Sequence, residues 1–281
     1  MTTVVWPAQL PRRLGRELRA RPFATVGFTI LAGYLLLGLL GPLFVSDPRA
    51  TDPSSTMLPP SAAHWFGTDT YGRDVFARAV YAARLDVMLG LTISVSAMLA
   101  GSAIGVIAGF FGGLVDEIVM RVVDIVLSFP GFILAMILVV AMGESVPKVA
   151  AAVAISFVPQ FVRLTRASVL SERELEYVDG ARLAGNSPWR TAFRHVWPNA
   201  MRPSLVQLTL VSGFSILNIA GLAFLGVGIR PPTPEWGVMV SEGAANTLTG
   251  QWWTALFPGA MIVGIVMALH FIGDEFDRSQ P

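Results

Sequence analysis

The chain has 281 residues, of which 53% are hydrophobic and 14% charged. A soluble domain carries about 25% charged residues, so this chain has too few to cover a water-facing surface of ordinary size. A net charge of +1, no cysteine and three scattered histidines exclude a polybasic nucleic-acid binder, a disulfide framework, thiolate chemistry and a His-rich metal site.

Residues 1–22 carry Arg12, Arg13, Arg16, Arg19 and Arg21 and read as a cytoplasmic tail. The run 23–45, from Phe23 to Val45, holds no charge and reads as the first transmembrane helix. It exceeds the core of a cleaved signal peptide, about 7–15 residues, so it is expected to stay on the protein. Residues 46–86 include Pro48, Pro53, Pro59 and Pro60, which favour extended backbone, and read as an extracytoplasmic loop. A core at 87–273 then supplies five further spans. They are Val87–Phe111, Ile118–Met142, Val149–Leu170 with a kink or break at Pro159, Ser204–Ile229 and Trp253–Ile272. Residues 274–281 form a second cytoplasmic tail. The class is an all-α integral membrane protein with about six transmembrane helices.

Two patterns agree with these spans. All seven tryptophans lie outside them or at their ends, where an interfacial belt places them. Basic residues gather in the first tail and again at Arg163, Arg166, Arg173, Arg182, Arg190, Arg194 and Arg202. Alternating sides puts both groups on the cytoplasmic face, as the positive-inside rule requires, and returns the C-terminus there.

Within the spans, Gly101, Gly105 and Gly109 recur every fourth residue after Ala97. That spacing puts them on one face, where another backbone can approach closely. Asp116, Glu117, Arg121 and Asp124 open the third span, with Glu117–Arg121 and Arg121–Asp124 at pairing distance along a helix. Ion pairing near the interface explains them better than a proton relay, because the other spans offer no chain of acids. Gln160 and Asn218 are amides inside spans and are candidates for interhelical bonding or for a transport pathway.

The loop 171–202 is the most informative segment. Ser171 and Glu174 read as a capping box that starts a helix. Gly185-Asn186 reads as its left-handed stop. Ser187 with Pro188 reads as the start of a second helix, ended by Pro198. A plain connector is about 2–8 residues, so a long, doubly capped, charged hairpin suggests a docking surface. No G-x-x-x-x-G-K-[ST] occurs, and Lys148, the single lysine, lies outside any glycine-rich loop. The chain carries no nucleotide-binding or catalytic motif, so it is not expected to be an enzyme itself.

The segment Asp179-Gly180-Ala181-x3-Gly185, nine residues, then His195-x-Trp197-Pro198 resembles the EAA loop of ABC importer permeases, E-A-A-x3-G-x9-I-x-L-P. Ala181, Gly185, Pro198 and the spacing match. Asp179, Gly180, His195 and Trp197 depart from the pattern and leave the strength of coupling open. Gly67-Thr68-Asp69-x2-Gly72-Arg73-Asp74 resembles the GTD-x2-GRD motif of C-type permeases in dipeptide, oligopeptide and nickel importers. Leu225 to Gly237 resembles that family's segment after span five. Three motifs in order cover about residues 23 to 275.

The resemblance implies the type I ABC importer permease fold and a multi-pass location in the bacterial cytoplasmic membrane. The implied partners are a homologous B-type permease, two ATP-binding subunits, an extracytoplasmic substrate-binding protein and membrane lipid. It implies no cofactor in this chain, with ATP and Mg held by the partner ATPases. It assigns ATPase coupling to Glu176, Asp179, Gly180, Ala181, Arg182, Gly185 and Pro198. The implied cargo is a di- or oligopeptide, with nickel complexes or glutathione as alternatives. A self-contained secondary transporter would need coupling acids at mid-membrane, which the spans do not offer.

Overall fold

The computed structural model describes residues 22–278. The arginine-rich tail expected before the first span lies outside the described residues. The described elements are α1 (Pro22–Leu40), α2 (Val75–Phe111), α3 (Gly113–Leu127), α4 (Gly131–Met142), α5 (Val146–Glu172) and α6 (Glu176–Leu183). They continue with α7 (Pro188–Arg190), α8 (Trp197–Ala200), α9 (Arg202–Phe224), α10 (Trp236–Thr247) and α11 (Trp253–Arg278). Among the described residues, five helices are long and apolar enough to cross a membrane, and the bent pair α3–α4 makes a sixth segment if counted as one span.

Two expectations from sequence need correction, and a third is narrowed. Helix α2 starts at Val75 rather than near Val87 because Asp74 caps it there, its carboxylate accepting from the Ala77 N–H at 2.8 Å. At 37 residues, α2 is about 55 Å long and outreaches a hydrocarbon layer of about 30 Å. The third span is not one straight helix. It breaks between Leu127 and Gly131 and bends by 92°. Pro130 lacks the N–H that would carry the helix onward, and its ring restricts Phe129 before it. Conversely, α5 runs through Pro159 without a break, because neighbouring packing supports a proline inside a membrane helix.

Three apolar clusters stack along the molecule. One joins α2, α4, α5 and α9 at mid-height through residues such as Ile93, Val139, Val153, Phe161 and Leu222. A second, around Val75, Trp236 and Ile265, lies at the end where α2 begins. A third, around Val106, Val169, Val178 and Val196, lies at the opposite end, beneath α6. The α2–α5 seam is the most extensive of the helix–helix contacts among the described residues. A Cβ on Gly101 would stand 2.7 Å from the Val158 carbonyl oxygen, and one on Gly105 would stand 2.7 Å from that of Val162. A Cβ on Gly109 would lie 2.9 Å from a Val169 methyl. Lipid tails supply no hydrophobic force between helices, so such backbone-to-backbone approach is the main packing device available.

Candidate functional site

Chemistry-bearing residues gather at three heights. At one end lies the hairpin of α6. Ser171 does not cap it, because Ser171 lies in the last turn of α5. Helix α6 starts after Leu175 with no side-chain cap. The Glu174 N–H reaches only the Ser171 carbonyl, at 3.4 Å. Its other end is a Schellman stop: Gly185 sits at φ +80°, its N–H donates to the Arg182 carbonyl, and the Asn186 N–H donates to that of Ala181. Ser187 then caps α7, accepting from the Arg190 N–H at 3.4 Å.

Pro198 does not end the second helix. The stretch Thr191–Val196 widens to a π-helix in which the Trp197 N–H reaches the Ala192 carbonyl, and the chain continues into α8. A proline at this point would otherwise press on the carbonyl four residues back. The amide of Asn199 donates to the His195 carbonyl at 3.0 Å and helps satisfy the loosened turn. Helix α6 buries Val178 and Ala181, and Val178 packs in one cluster with Val106 and Ala192. Its far side carries Leu183, 90% exposed, with Leu175 and Trp189 exposed nearby. Glu176, Asp179 and Gly180 lie on open surface, and Arg182 pairs with Asp179 at 3.2 Å. Tyr177 donates to Glu172 at 2.7 Å, and burial pushes its phenol up from the ordinary value.

At mid-height a groove of about 200 Å³ is lined by Phe132, Ser156, Phe157, Gln160, Leu217 and Asn218. The structure thus brings to one groove the two amides that stand far apart in sequence, in α5 and α9. Asn218 also donates to the Phe214 carbonyl at 2.8 Å. The bend at Pro130 delivers Phe132 to this groove, where its ring fills the space beside Gly221. Toward the α6 end of the same face, Asp124 pairs with Arg163 at 2.5 Å, not with Arg121, and both members are half exposed. Arg121 reaches Glu117 only at 4.0 Å. Asp116 accepts from Arg166 Nε and Nη2, at 2.5 and 2.6 Å. At the other end of the face Arg230 pairs with Glu144. Charges at membrane depth face a cavity or one another, so this face does not look onto lipid.

The end where α2 begins carries both remaining motifs, and they meet. The Asp69 carboxylate accepts from Arg73 Nε and Arg78 Nη1, each at 2.6 Å. Both arginines also reach Glu242 of α10, at 3.1 and 2.8 Å. Arg78 is 1% exposed, so this four-charge knot is deeply placed and electrically balanced. Asp74 holds His64 at 2.8 Å besides capping α2. The Thr68 hydroxyl bonds Ser55 and Leu58 of the preceding loop. Gly67 and Gly72 both take positive φ, and at Gly72 a side chain would run into the Asp52 backbone.

The second motif latches the same helix. Glu235 caps α10 through the Gly237 and Val238 N–H groups, and burial pushes its carboxyl above the ordinary value. Trp236 is fully buried, its backbone N–H donating to Asp86 and its indole N–H to the Ala79 carbonyl, both at 3.0 Å. Arg78, Asp86 and Glu242 were missed by sequence reading. A charged residue inside an otherwise apolar run, as at Arg78 and Asp86, was the available signal.

Comparisons with known proteins identify the family of the chain. The model of the binding-protein-dependent transport system inner membrane component matches residues 101–280. A dipeptide transport system permease protein from Alkalihalophilus pseudofirmus is 40% identical over 264 residues, covering 94% of this chain and 86% of that protein. A probable D,D-dipeptide transport system permease protein from Escherichia coli is 38% identical over 278 residues, covering 97% and 93%. A glutathione transport system permease protein from Pectobacterium atrosepticum is 37% identical over 215 residues, covering 76% and 71%. With most of its length matched in this way, the chain belongs to the family of binding-protein-dependent transport system inner membrane components, the multi-pass permeases of ABC importers.

Proposed function

We propose that this chain is the C-type translocation subunit of an importer for di- or oligopeptides, working beside a B-type permease. Two ATPases on the α6 side bind ATP and Mg, and a substrate-binding protein delivers cargo at the opposite end. Both termini then lie in the cytoplasm. The observation that carries the cargo class is the likeness to dipeptide permeases over nearly the whole chain. The mid-height groove suits such cargo. Gln160, Asn218 and Ser156 offer donors and acceptors without net charge, so they can exchange hydrogen bonds with a peptide backbone whatever its side chains. The charged pairs Glu144–Arg230 and Asp124–Arg163 stand beyond it on either side.

The exposed Leu183, Leu175 and Trp189 around a short helix give the ATPases an apolar contact surface. Hydrolysis in the ATPases is passed on through α6, whose Val178 shares a buried cluster with Val106 of α2, Val169 of α5 and Val196, and so to the groove. The likeness to a glutathione permease favours a second reading, glutathione import. Deleting the chain in its native host separates the two. Uptake of a labelled dipeptide is expected to disappear and to return on complementation. Unchanged dipeptide uptake with lost glutathione uptake would select the second reading.

A further inference from the structure

A groove of about 340 Å³ runs between α1 and α2 and shares no lining residue with the groove of Gln160 and Asn218. Its walls are Tyr34, Leu35, Leu39, Val87 and Met88, and Arg84 stands at its mouth. The Tyr34 hydroxyl is turned away, donating to the Met261 carbonyl at 2.8 Å, so the groove sees its ring. Arg84 is exposed, and among the described residues its guanidinium has no ion pair or hydrogen bond. Its height is set by Gly38, where a Cβ would stand 2.9 Å from the Arg84 Cα. Gly38 lies just before the end of α1 at Leu40. The uncharged run continues from Gly38 to Val45, so Arg84 lies below its end, within reach of the headgroup layer for a long side chain. There a long cationic side chain keeps its stem along apolar surface and its head at the interface.

We propose that this groove holds an acyl chain of an anionic phospholipid whose phosphate pairs with Arg84. An unpaired cation whose head reaches the membrane interface attracts an anionic headgroup there. The groove directly below it offers only apolar surface, which matches one lipid in charge and in shape. Helix α1 carries no charged residue over Pro22–Leu40, and Leu35, Leu36, Leu39 and Leu40 are exposed on it, a face suited to lipid. A zwitterionic head brings its own cation to the site, so a net-negative head is preferred.

The test is native mass spectrometry of the detergent-purified complex of this chain with its co-purifying subunits, after addition of phosphatidylglycerol or phosphatidylcholine of matched acyl chains. The wild type should retain phosphatidylglycerol in preference to phosphatidylcholine. Arg84→Ala should lower phosphatidylglycerol retention by about fivefold, the effect of one cation near a lipid surface. Arg84→Lys should keep most of it. Met88→Trp, which fills the groove and leaves Arg84 in place, should lower retention of both lipids, and it carries the test should Arg84→Ala fail to assemble. Wild-type phosphatidylglycerol retention in Arg84→Ala or in Met88→Trp overturns the proposal. So does equal wild-type retention of the two lipids. A complex that retains neither lipid also overturns it, because the groove is then covered by another protein segment.

Discussion

Gly185 sits at φ +80° with open space where a Cβ would stand, so any penalty for a side chain there comes from the backbone alone. An L-residue in this conformation costs about 1–2 kcal/mol, with Asn tolerated best and β-branched residues worst. Gly185→Val should leave membrane insertion intact but tilt α6, lowering both ATPase co-purification and substrate-stimulated ATP hydrolysis. Gly185→Asn should restore both. Two variants that behave alike would remove the left-handed turn from the coupling path. The mid-height residues make a different point. Gln160 and Asn218 were recognisable from sequence as amides in apolar runs, but nothing local showed that they line one groove. Asp124 was expected near Arg121 on its own helix and instead pairs with Arg163 of α5. The pairing depended on how α3 packs, which residue spacing along one helix does not encode.

Among elements, the α2–α5 seam was the most legible and the α3–α4 bend the least. Glycines at every fourth residue form a stripe that any helix displays, whatever its surroundings. The structure puts that stripe against backbone atoms of α5, which cannot move aside as a flexible side chain would. Gly105→Leu should therefore overpack the seam by roughly 1–3 kcal/mol or more and reduce recovery of an intact complex. The comparison is Gly33→Leu, at a position in α1 with no neighbour within 4 Å, which should assemble as the wild type does. Normal yield of an active complex from Gly105→Leu would argue against the seam. The bend was missed although Ser128-Phe129-Pro130-Gly131 stands in the sequence. Apolar length alone joined the two halves, because hydropathy counts residues and carries no direction. The same blindness to caps placed the start of α2 too late, since Asp74 and not apolarity decides where that helix begins.

For the whole molecule, orientation is the outstanding prediction. The chain contains no cysteine, so single labels can be introduced against a clean background. A cysteine replacing Ser54, exposed beside Asp52 on the loop before α2, should react with a membrane-impermeant thiol reagent in intact cells. One replacing Ser171, exposed in the last turn of α5, should react only after the membrane is opened. The reverse pattern would invert the proposed topology. What the sequence determined by itself was the solvent and the class. A chain this apolar must satisfy its backbone within helices, so composition and run length decide that it is a membrane bundle of about six crossings. The motifs, being local, decided the family. Tertiary structure alone decided which distant groups meet: Asp69, Arg73 and Arg78 with Glu242, Trp236 with Asp86, and Gln160 with Asn218. Hydropathy reports how much each residue prefers lipid to water. Which partner a buried charge or amide finds depends on the rotation and height at which two helices pack, and those are properties of the assembled bundle.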